Sequence, residues 1–207
     1  MDCGKIGQLI SQLRREKDMT QKDLADRLGI SNKTVSKWEN GLGCPDLSLW
    51  EELSAVLGAD VRKLLRGELT PNRPDAGRMD RVKFYVCPVC GNVLTSTGGA
   101  ELSCCGRPLE PLCAQTEGDH APTVEEMDLE YYVTFDHPMT KAHFIRFAAY
   151  VTDDRYLLVR LYPEQSAALR LPMLRRGTLY VCCSRDGLRK YPFPAPREKK
   201  VRHTLPF

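Results

Sequence analysis

Four cysteines in one short segment constrain the fold of this chain more than any other feature. Cys87 and Cys90 form a C-x-x-C pair, and the adjacent Cys104 and Cys105 follow after a short interval. Two such pairs can place four thiolates around one ion as a tetrahedron, the arrangement that suits zinc or iron. Neighbouring side chains of a regular strand point to opposite faces, so the second pair requires a bend, which Gly106 allows. The segment is therefore predicted to fold around a metal ion.

Composition sets the class of protein and the expected compartment. A length of 207 residues predicts one large domain or two to three small ones, and 42% hydrophobic with 28% charged residues is typical of a soluble globular protein. We expect a cytoplasmic protein, because no apolar run approaches the length of a membrane span and the N-terminus lacks a signal-peptide core. In that reducing compartment, nine cysteines favour metal binding over disulfides. The net charge of +3 is too small to indicate a partner by itself.

Residues 1–68 carry helical periodicity and are predicted to form an all-α bundle of five short helices. Thr20 and Ser31 are suitable N-caps for two successive helices, and Gly29 lies in the tight turn between them. Two helices joined in this way form a helix-turn-helix, whose second helix enters the major groove of DNA. That helix exposes asparagine and lysine side chains, which pair with adenine and guanine respectively.

The run M-T-Q-K-D-L-A-D-R-L-G-I-S-N-K-T-V-S-K-W-E-N-G, residues 19–41, resembles the helix-turn-helix domain of Cro and lambda-type repressors. The resemblance extends over about residues 5–67. It implies base contacts by Asn32, Lys33 and Lys37 and phosphate contacts by Gln21, Ser31 and Asn40. The alternative is a bundle that serves only protein–protein contact or dimerisation, since acidic and basic residues balance in this segment.

The rest of the chain divides by composition into four segments. Residues 69–81 mix proline, glycine and charge, as an exposed linker does. Residues 82–112 hold the four cysteines in a small metal module, and residues 113–196 carry short strands separated by turn signals, which predicts an all-β, immunoglobulin-like sandwich. Residues 197–207 form a basic tail. The predicted protein is thus multidomain.

Three histidines and a cysteine in the predicted sandwich suggest a second metal site. His120, His137 and His143 each lie at a loop, and Cys183 lies near the end of the last predicted strand. Imidazoles from separate loops can converge at one end of a sandwich and hold a divalent metal. A lone histidine is usually structural, but three histidines together with a cysteine favour a metal-binding site.

The region from residue 82 to about residue 193 resembles desulfoferrodoxin, the two-iron form of superoxide reductase. The runs that carry the resemblance are K-F-Y-V-C-P-V-C-G-N, L-S-C-C-G-R-P-L, D-H-P-M-T-K-A-H-F-I and L-Y-V-C-C-S-R-D-G-L. It implies a desulforedoxin-like centre in which Cys87, Cys90, Cys104 and Cys105 hold one iron, with zinc as the alternative metal. It also implies a second iron, held in the family by four histidines and one cysteine with an open position that reduces superoxide. His120, His137, His143 and Cys183 match four of those five ligands.

Two residues depart from the family pattern. Asp186 stands where the family has its fourth histidine, and because a carboxylate can bind iron we expect Asp186 to be a ligand that favours the ferric state. Asp119 stands where the family has the lysine that attracts superoxide, and its charge repels that anion. The second site is therefore expected either to hold iron with altered reactivity or to be empty, and no catalytic residue is assigned.

Together these parts predict a transcription regulator that binds a double-stranded DNA operator as a homodimer, since the desulforedoxin-type module pairs in the family. Its iron-binding body is expected to sense metal or redox state. One alternative is an active superoxide reductase, converting superoxide to hydrogen peroxide, that carries a DNA-binding domain. Another is a body that only dimerises, with zinc or no metal in its sites. A metal count, a visible spectrum and a superoxide assay separate these interpretations.

Overall fold

The computed structural model describes residues 2–116 and 120–194 and divides the chain into two compact units, Met1–Pro71 and Asn72–Phe207. The expectations for Asp119 and for the basic tail lie outside the described residues. In the part that is described, no helix is both long and apolar enough to cross a membrane.

The first unit is entirely helical. Its elements are α1 (Cys3–Glu16), α2 (Gln21–Arg27), α3 (Asn32–Glu39), a 3-10 turn (Leu47–Leu49), α4 (Trp50–Leu57) and α5 (Val61–Arg66). Thr20 caps α2 through a reciprocal capping box with Asp23, and the Ser31 side chain caps α3. The Asp46 side chain caps the 3-10 turn that leads into α4.

Close contact between α1 and α3 fixes the position of α3. Any side chain at Gly7 would collide with the carbonyl oxygen of Trp38, so the two helix backbones approach closely. Val35 and Trp38 are buried in the same core as Ile6 and Ile10 of α1. With these residues inward, the opposite face of α3 is left to solvent.

The described residues of the second unit form twelve strands. They are β1 (Lys83–Val86), β2 (Val93–Ser96), β3 (Leu102–Cys104), β4 (Arg107–Leu109), β5 (Ala114–Gln115), β6 (Pro122–Met127), β7 (Glu130–Phe135), β8 (Ile145–Val151), β9 (Tyr156–Arg160), β10 (Ala168–Pro172), β11 (Gly177–Cys183) and β12 (Gly187–Phe193). A 3-10 turn, Met79–Arg81, precedes β1.

The strands form two larger sheets and two hairpins. The larger sheets have the orders β5-β12-β11-β8-β9 and β10-β7-β6, and β1–β2 and β3–β4 are separate antiparallel hairpins. One apolar core joins the two larger sheets, because it includes Val133 of β7, Leu171 of β10, Tyr150 of β8 and Val181 of β11.

The opposite face of the five-stranded sheet carries the β1–β2 hairpin. Phe84 of β1 packs on Phe147 of β8 with ring centroids 5.4 Å apart, in a core that also contains Cys182. The pleat explains this division, since Phe147 faces the hairpin while Ala148 and Tyr150 face the other sheet. The first cysteine pair therefore extends from a strand that is anchored in the core.

Candidate metal centres and DNA-reading helix

The first cysteine pair lies in the turn between β1 and β2. The amide of Gly91 donates to the carbonyl of Cys87 at 2.9 Å, and the amide of Cys87 donates to the carbonyl of Asn92 at 2.9 Å. Gly91 has φ +70°, a conformation that glycine adopts without steric cost. These bonds fold the turn so that Cys87 and Cys90 present their sulfurs on the same side of the loop, as members of one cluster.

The adjacent cysteines lie at the turn between β3 and β4. The expected bend at Gly106 is present with φ +72°, and Cys105 itself also has positive φ, +51°. Two successive left-handed residues turn the second sulfur back toward the first. The sulfur atoms of Cys104 and Cys105 are consequently 4.0 Å apart, rather than on opposite faces of a strand.

The four sulfurs form a cluster in which every pair of ligand atoms lies within 4.8 Å. The sulfurs of Cys90 and Cys104 are 3.5 Å apart. A tetrahedron of sulfurs about 2.3 Å from a central ion has edges of about 3.8 Å, so the residues present fit a tetrahedral metal. The pKa values of the cysteines also fit a metal site. A hydrogen bond from the Cys90 amide lowers the pKa of Cys87 to about 6. The neighbouring sulfurs, chiefly that of Cys90, raise the pKa of Cys105 to about 12. A cation at the centre would relieve that mutual repulsion.

A second cluster brings together His120, His137, His143, Cys183 and Asp186, whose ligand atoms also lie within 4.8 Å of one another. His120 lies just before β6, but His137 and His143 share the connection between β7 and β8, so the histidines come from two segments and not from three separate loops as expected. Cys183 ends β11. The turn from β11 to β12 contributes Asp186, and Gly187, with φ +75°, completes that turn.

Three imidazoles and one carboxylate are arranged as a ring, and the Cys183 sulfur lies against two of its members. Ring centroids are 4.7 Å apart for His120 and His137 and 4.5 Å for His137 and His143, but 6.2 Å for His120 and His143. Asp186 closes the ring, because its Oδ2 lies 2.8 Å from Nε2 of His120 and 3.0 Å from Nε2 of His143. The Cys183 sulfur lies 3.4 Å from Nε2 of His137 and 3.1 Å from Oδ2 of Asp186.

These spacings fit a metal ion with ligands at right angles. Donors about 2.1 to 2.3 Å from an ion and 90° apart are separated by about 3.0 to 3.3 Å. Hydrogen bonds from His120, Cys183 and His143 hold the pKa of Asp186 well below its ordinary value, so the carboxylate is anionic. Burial raises the pKa of Cys183 and lowers the pKa of His137. A bound cation would oppose the first change, because it favours the thiolate, and it would bind the neutral imidazole that the second change favours.

A β-bulge aims Cys183 into the site. The register between β11 and β8 shifts between Cys182 and Cys183, which pair with Phe147 and Ile145 and leave Arg146 unpaired in this ladder. Cys182 packs in the apolar core beneath the hairpin, and burial raises its pKa to about 12. Of two adjacent thiols, the structure therefore places one in the core and the other among the histidines.

The predicted DNA contacts divide into two groups. Asn32, Lys33 and Lys37 are exposed on α3. The remaining three already hold protein partners: Gln21 Nε2 donates to Glu39 at 2.9 Å, Ser31 caps α3, and Asn40 Nδ2 donates to the Ser36 carbonyl at 2.8 Å. A phosphate contact by these three side chains would add to, or replace, those bonds.

A nearly buried ion pair, which sequence reasoning missed, lies beneath that surface. Arg14 Nε donates to Glu39 Oε1 at 2.6 Å, and its second nitrogen donates to Oε2 at 3.0 Å. Burial alone would raise the pKa of Glu39, but the hydrogen bonds from Arg14, Gln21 and Ser11 outweigh it and hold the pKa below its ordinary value. The pair joins α1 to the end of α3.

Cys3 and Cys44 form a disulfide, which corrects the expectation that the cysteines of this chain favour metal over disulfides. Cys3 opens α1, and Cys44 lies in the segment between α3 and the 3-10 turn. Spacing in the sequence gave no signal for the bond, because the two residues are 41 positions apart and meet only through the packing of α1 on α3.

The fold and the two clusters define a helix-turn-helix unit followed by a β-rich unit with two candidate metal centres. Comparison with known proteins supports that division: residues 10–64 match the helix-turn-helix family model HTH_3. The chain is 34% identical over 111 residues to the HTH-type transcriptional activator BcrR of Enterococcus faecalis, a match that spans 46% of this chain and 53% of BcrR. The chain thus spans about half the length of that relative.

The second unit has different relatives. Desulfoferrodoxin of Syntrophotalea carbinolica is 28% identical over 120 residues, which cover 53% of this chain and 94% of that protein. The superoxide reductase of Treponema pallidum superposes with a TM-score of 0.47 at 18% identity, over 53% of this chain and 96% of that one. The chain therefore joins a helix-turn-helix region to a region similar to desulfoferrodoxin, as the sequence motifs predicted.

Proposed function

We propose that this protein is a DNA-binding transcription regulator whose β-rich unit binds iron and makes operator affinity depend on metal or oxidation state. The observation that carries the proposal is the convergence of four sulfurs in a chain whose residues 10–64 match a helix-turn-helix family. The exposed side chains of Asn32, Lys33 and Lys37 on α3 are the groups that read base edges. The relative BcrR is a transcriptional activator by name.

The four-sulfur centre is the element that couples metal to structure. The β3–β4 hairpin is short, and its apolar contacts are limited to a small core with Leu109, Leu102, Tyr85 and Leu94. Without a cation, the four sulfurs, which all lie within 4.8 Å of one another, repel one another once they are ionised. Metal binding by a small cysteine module is strongly coupled to its folding, so loss of the ion would loosen the β3–β4 hairpin and the cysteine turn between β1 and β2.

Iron is the metal we propose for both centres. The support is the similarity to desulfoferrodoxin over 94% of that protein's length, together with two donor sets that suit iron. When bound, iron would supply one-electron redox chemistry. The residues of this chain would hold it: four thiolates at one centre, and three imidazoles, the Cys183 thiolate and the Asp186 carboxylate at the other.

Finer structural assignments follow from the same similarity. We propose that hairpins β1–β2 and β3–β4 constitute a desulforedoxin-like module, and that the two larger sheets form an immunoglobulin-like sandwich. We also propose that two copies associate through the module. A dimer would present two α3 helices to half-sites about 34 Å apart on DNA.

Superoxide reductase activity is the second candidate function. Retention of His120, His137, His143 and Cys183 around one point favours it. The Asp186 carboxylate weighs against it, because an anionic ligand stabilises the ferric state and therefore slows electron delivery to superoxide. A stopped-flow assay separates the two functions, since an efficient enzyme reacts with superoxide near the diffusion limit.

The proposal is tested by selecting binding sites from a random duplex library with the anaerobic, metal-loaded protein. Affinity for the selected duplex is then measured for the reduced, oxidised and chelated forms, with the metal content and visible spectrum recorded for each. We expect at least one of these changes to alter affinity about tenfold or more. Equal affinity of all three forms would reject metal or redox sensing, and failure to select any duplex would reject DNA reading.

A further inference from the structure

The disulfide between Cys3 and Cys44 lies in the DNA-reading unit, apart from both metal clusters. We propose that these two cysteines form a reversible thiol–disulfide switch that a hydroperoxide closes, and that closing it orders the segment after the DNA-reading helix. The switch itself depends only on the two thiols. Its effect on DNA affinity rests on the proposed function.

The two cysteines lie beside a close backbone contact between α1 and the chain that follows α3. A Cβ on Gly41 would lie only 3.1 Å from the Cα of Gly4, so the chain after α3 lies directly against the first turn of α1. The Cα atoms of Cys3 and Cys44 are 5.1 Å apart, within the range that a disulfide spans. Two thiols kept at this separation close a bond more readily than thiols that must meet by diffusion.

Reagents can reach the pair, and the rest of the chain favours reversibility. Both residues are half-buried rather than enclosed. Among the described residues seven other cysteines are free, including the exposed Cys113 and the four of the first cluster. A compartment that keeps those thiols available for metal is a reducing one, and in such a compartment disulfides are mostly transient and redox-sensing. The pair is therefore better suited to a reversible switch than to a permanent structural disulfide.

The chemistry balances with a hydroperoxide as oxidant. One thiolate attacks the peroxide, the O–O bond breaks, and a sulfenic acid and an alcohol (water for hydrogen peroxide) form. The second thiol then attacks the sulfenic sulfur, the S–S bond forms, and water leaves. The two sulfurs together lose two electrons, and the peroxide gains them. Two molecules of a small thiol such as glutathione reverse the reaction by exchange and leave as their own disulfide.

The position of the bond connects it to DNA reading. Cys44 lies in a segment that starts at the end of α3, where the Leu42 amide donates to the Lys37 carbonyl at 2.9 Å and the Gly41 amide donates to the Trp38 carbonyl at 2.9 Å. The closed bond ties this segment to α1. The open form keeps the apolar core and lacks only the disulfide, so opening the bond changes the local order of this segment and not the fold.

The test uses full-length protein with one equivalent of hydrogen peroxide, followed by thiol alkylation, peptide mass mapping and amide hydrogen exchange. We expect a linked Cys3–Cys44 peptide, reversal in millimolar glutathione, and exchange of the residue 41–46 amides about tenfold slower in the closed form. Cys44→Ser should abolish these changes, and Cys113→Ser should leave them intact. Both variants retain all nine residues of the two metal clusters, so peroxide acts equally on the metal centres of both.

Several results would overturn the switch: no linkage at one equivalent of peroxide, a linkage that survives glutathione, or the same exchange difference in Cys44→Ser. Affinity is measured with a duplex selected from a random library, and we expect about fivefold tighter binding by the closed form. Equal affinity of the two forms would overturn the link to DNA reading. Failure of both forms to bind any duplex would instead reject the proposed function, while the exchange data still decide the switch.

Discussion

The Oδ2 atom of Asp186 lies 2.8 Å from Nε2 of His120, and this contact closes a ring of four donors above the Cys183 sulfur. The carboxylate is also within hydrogen-bonding distance of His143 and Cys183. We therefore propose Asp186 as a fifth ligand, in the position where the desulfoferrodoxin pattern has a histidine. That arrangement leads to a specific expectation for substitutions at residue 186.

Replacing Asp186 with Asn should weaken metal binding at the second centre by at least about tenfold, because a neutral amide is a poorer ligand of nearly the same size. Competition with a chelator measures the effect. Asp128→Asn, an exposed turn residue between β6 and β7, serves as the matched control and should bind metal as the wild type does. Unchanged affinity of the Asp186→Asn protein would show that the carboxylate is not a ligand.

Replacing Asp186 with His should raise the reduction potential of iron at this centre, since a neutral imidazole stabilises the ferric state less than a carboxylate does. Redox titration followed by visible absorption measures the shift. The same variant should react faster with superoxide. A potential equal to or below that of the wild type would contradict this account of the site.

Replacing Cys90 with Ser should remove one metal ion per chain and loosen the β3–β4 hairpin and the cysteine turn between β1 and β2. Three sulfurs leave one corner of the tetrahedron open, and the hairpin core is too small to compensate. Metal analysis and hydrogen exchange of residues 83–109 report the two effects. Cys113→Ser, an exposed thiol outside both clusters, should change neither; full metal content in Cys90→Ser would count against a four-sulfur site.

Local patterns were enough to predict most of the architecture. Helical periodicity and caps located the helices of the first unit, and the cysteine and histidine motifs located residues that the structure brings together. The sequence did not locate every strand. β6, for example, is an edge strand rich in exposed glutamate, and β12 contains Pro192, a residue that is uncommon inside strands. Among the described residues, β12 pairs with β5 only at Leu188 and Arg189, so Pro192 lies beyond that ladder, where a proline is tolerated.

Tertiary contacts explain what the sequence could not reveal. The bond between Cys3 and Cys44 depends on the close approach of Gly4 and Gly41, and periodicity carries no information about which helix ends meet. The Arg14–Glu39 pair depends on the same packing of α1 on α3. Residues that are brought together by helix packing, rather than by a motif, were therefore missed.

The Arg14–Glu39 pair predicts how the stability of the helical unit depends on pH. The folded-state pKa of Glu39 is lowered, so the pair contributes stability that is present above the unfolded-state pKa and is lost as pH falls through the folded-state value. Glu39→Gln should cost about 2 kcal/mol at pH 7. The difference from wild type in urea unfolding should shrink below about pH 4.5. Glu16→Gln, at an exposed position of α1, should cost little, and a pH-independent difference would exclude the ionised pair as the cause.

The exposed face of α3 predicts which substitutions change sequence preference. Lys37→Ala should weaken binding to a selected duplex by about 1 to 3 kcal/mol and relax the preference at one base pair, because a base-edge contact carries sequence information. Gln21→Ala should weaken binding to all sequences by a similar factor, since a phosphate contact does not discriminate between bases. Arg15→Ala, an exposed cation on α1, is the charge-matched control for Lys37→Ala. Competition binding against duplexes with single base changes measures both effects, and a uniform loss in Lys37→Ala would assign that lysine to the phosphates instead.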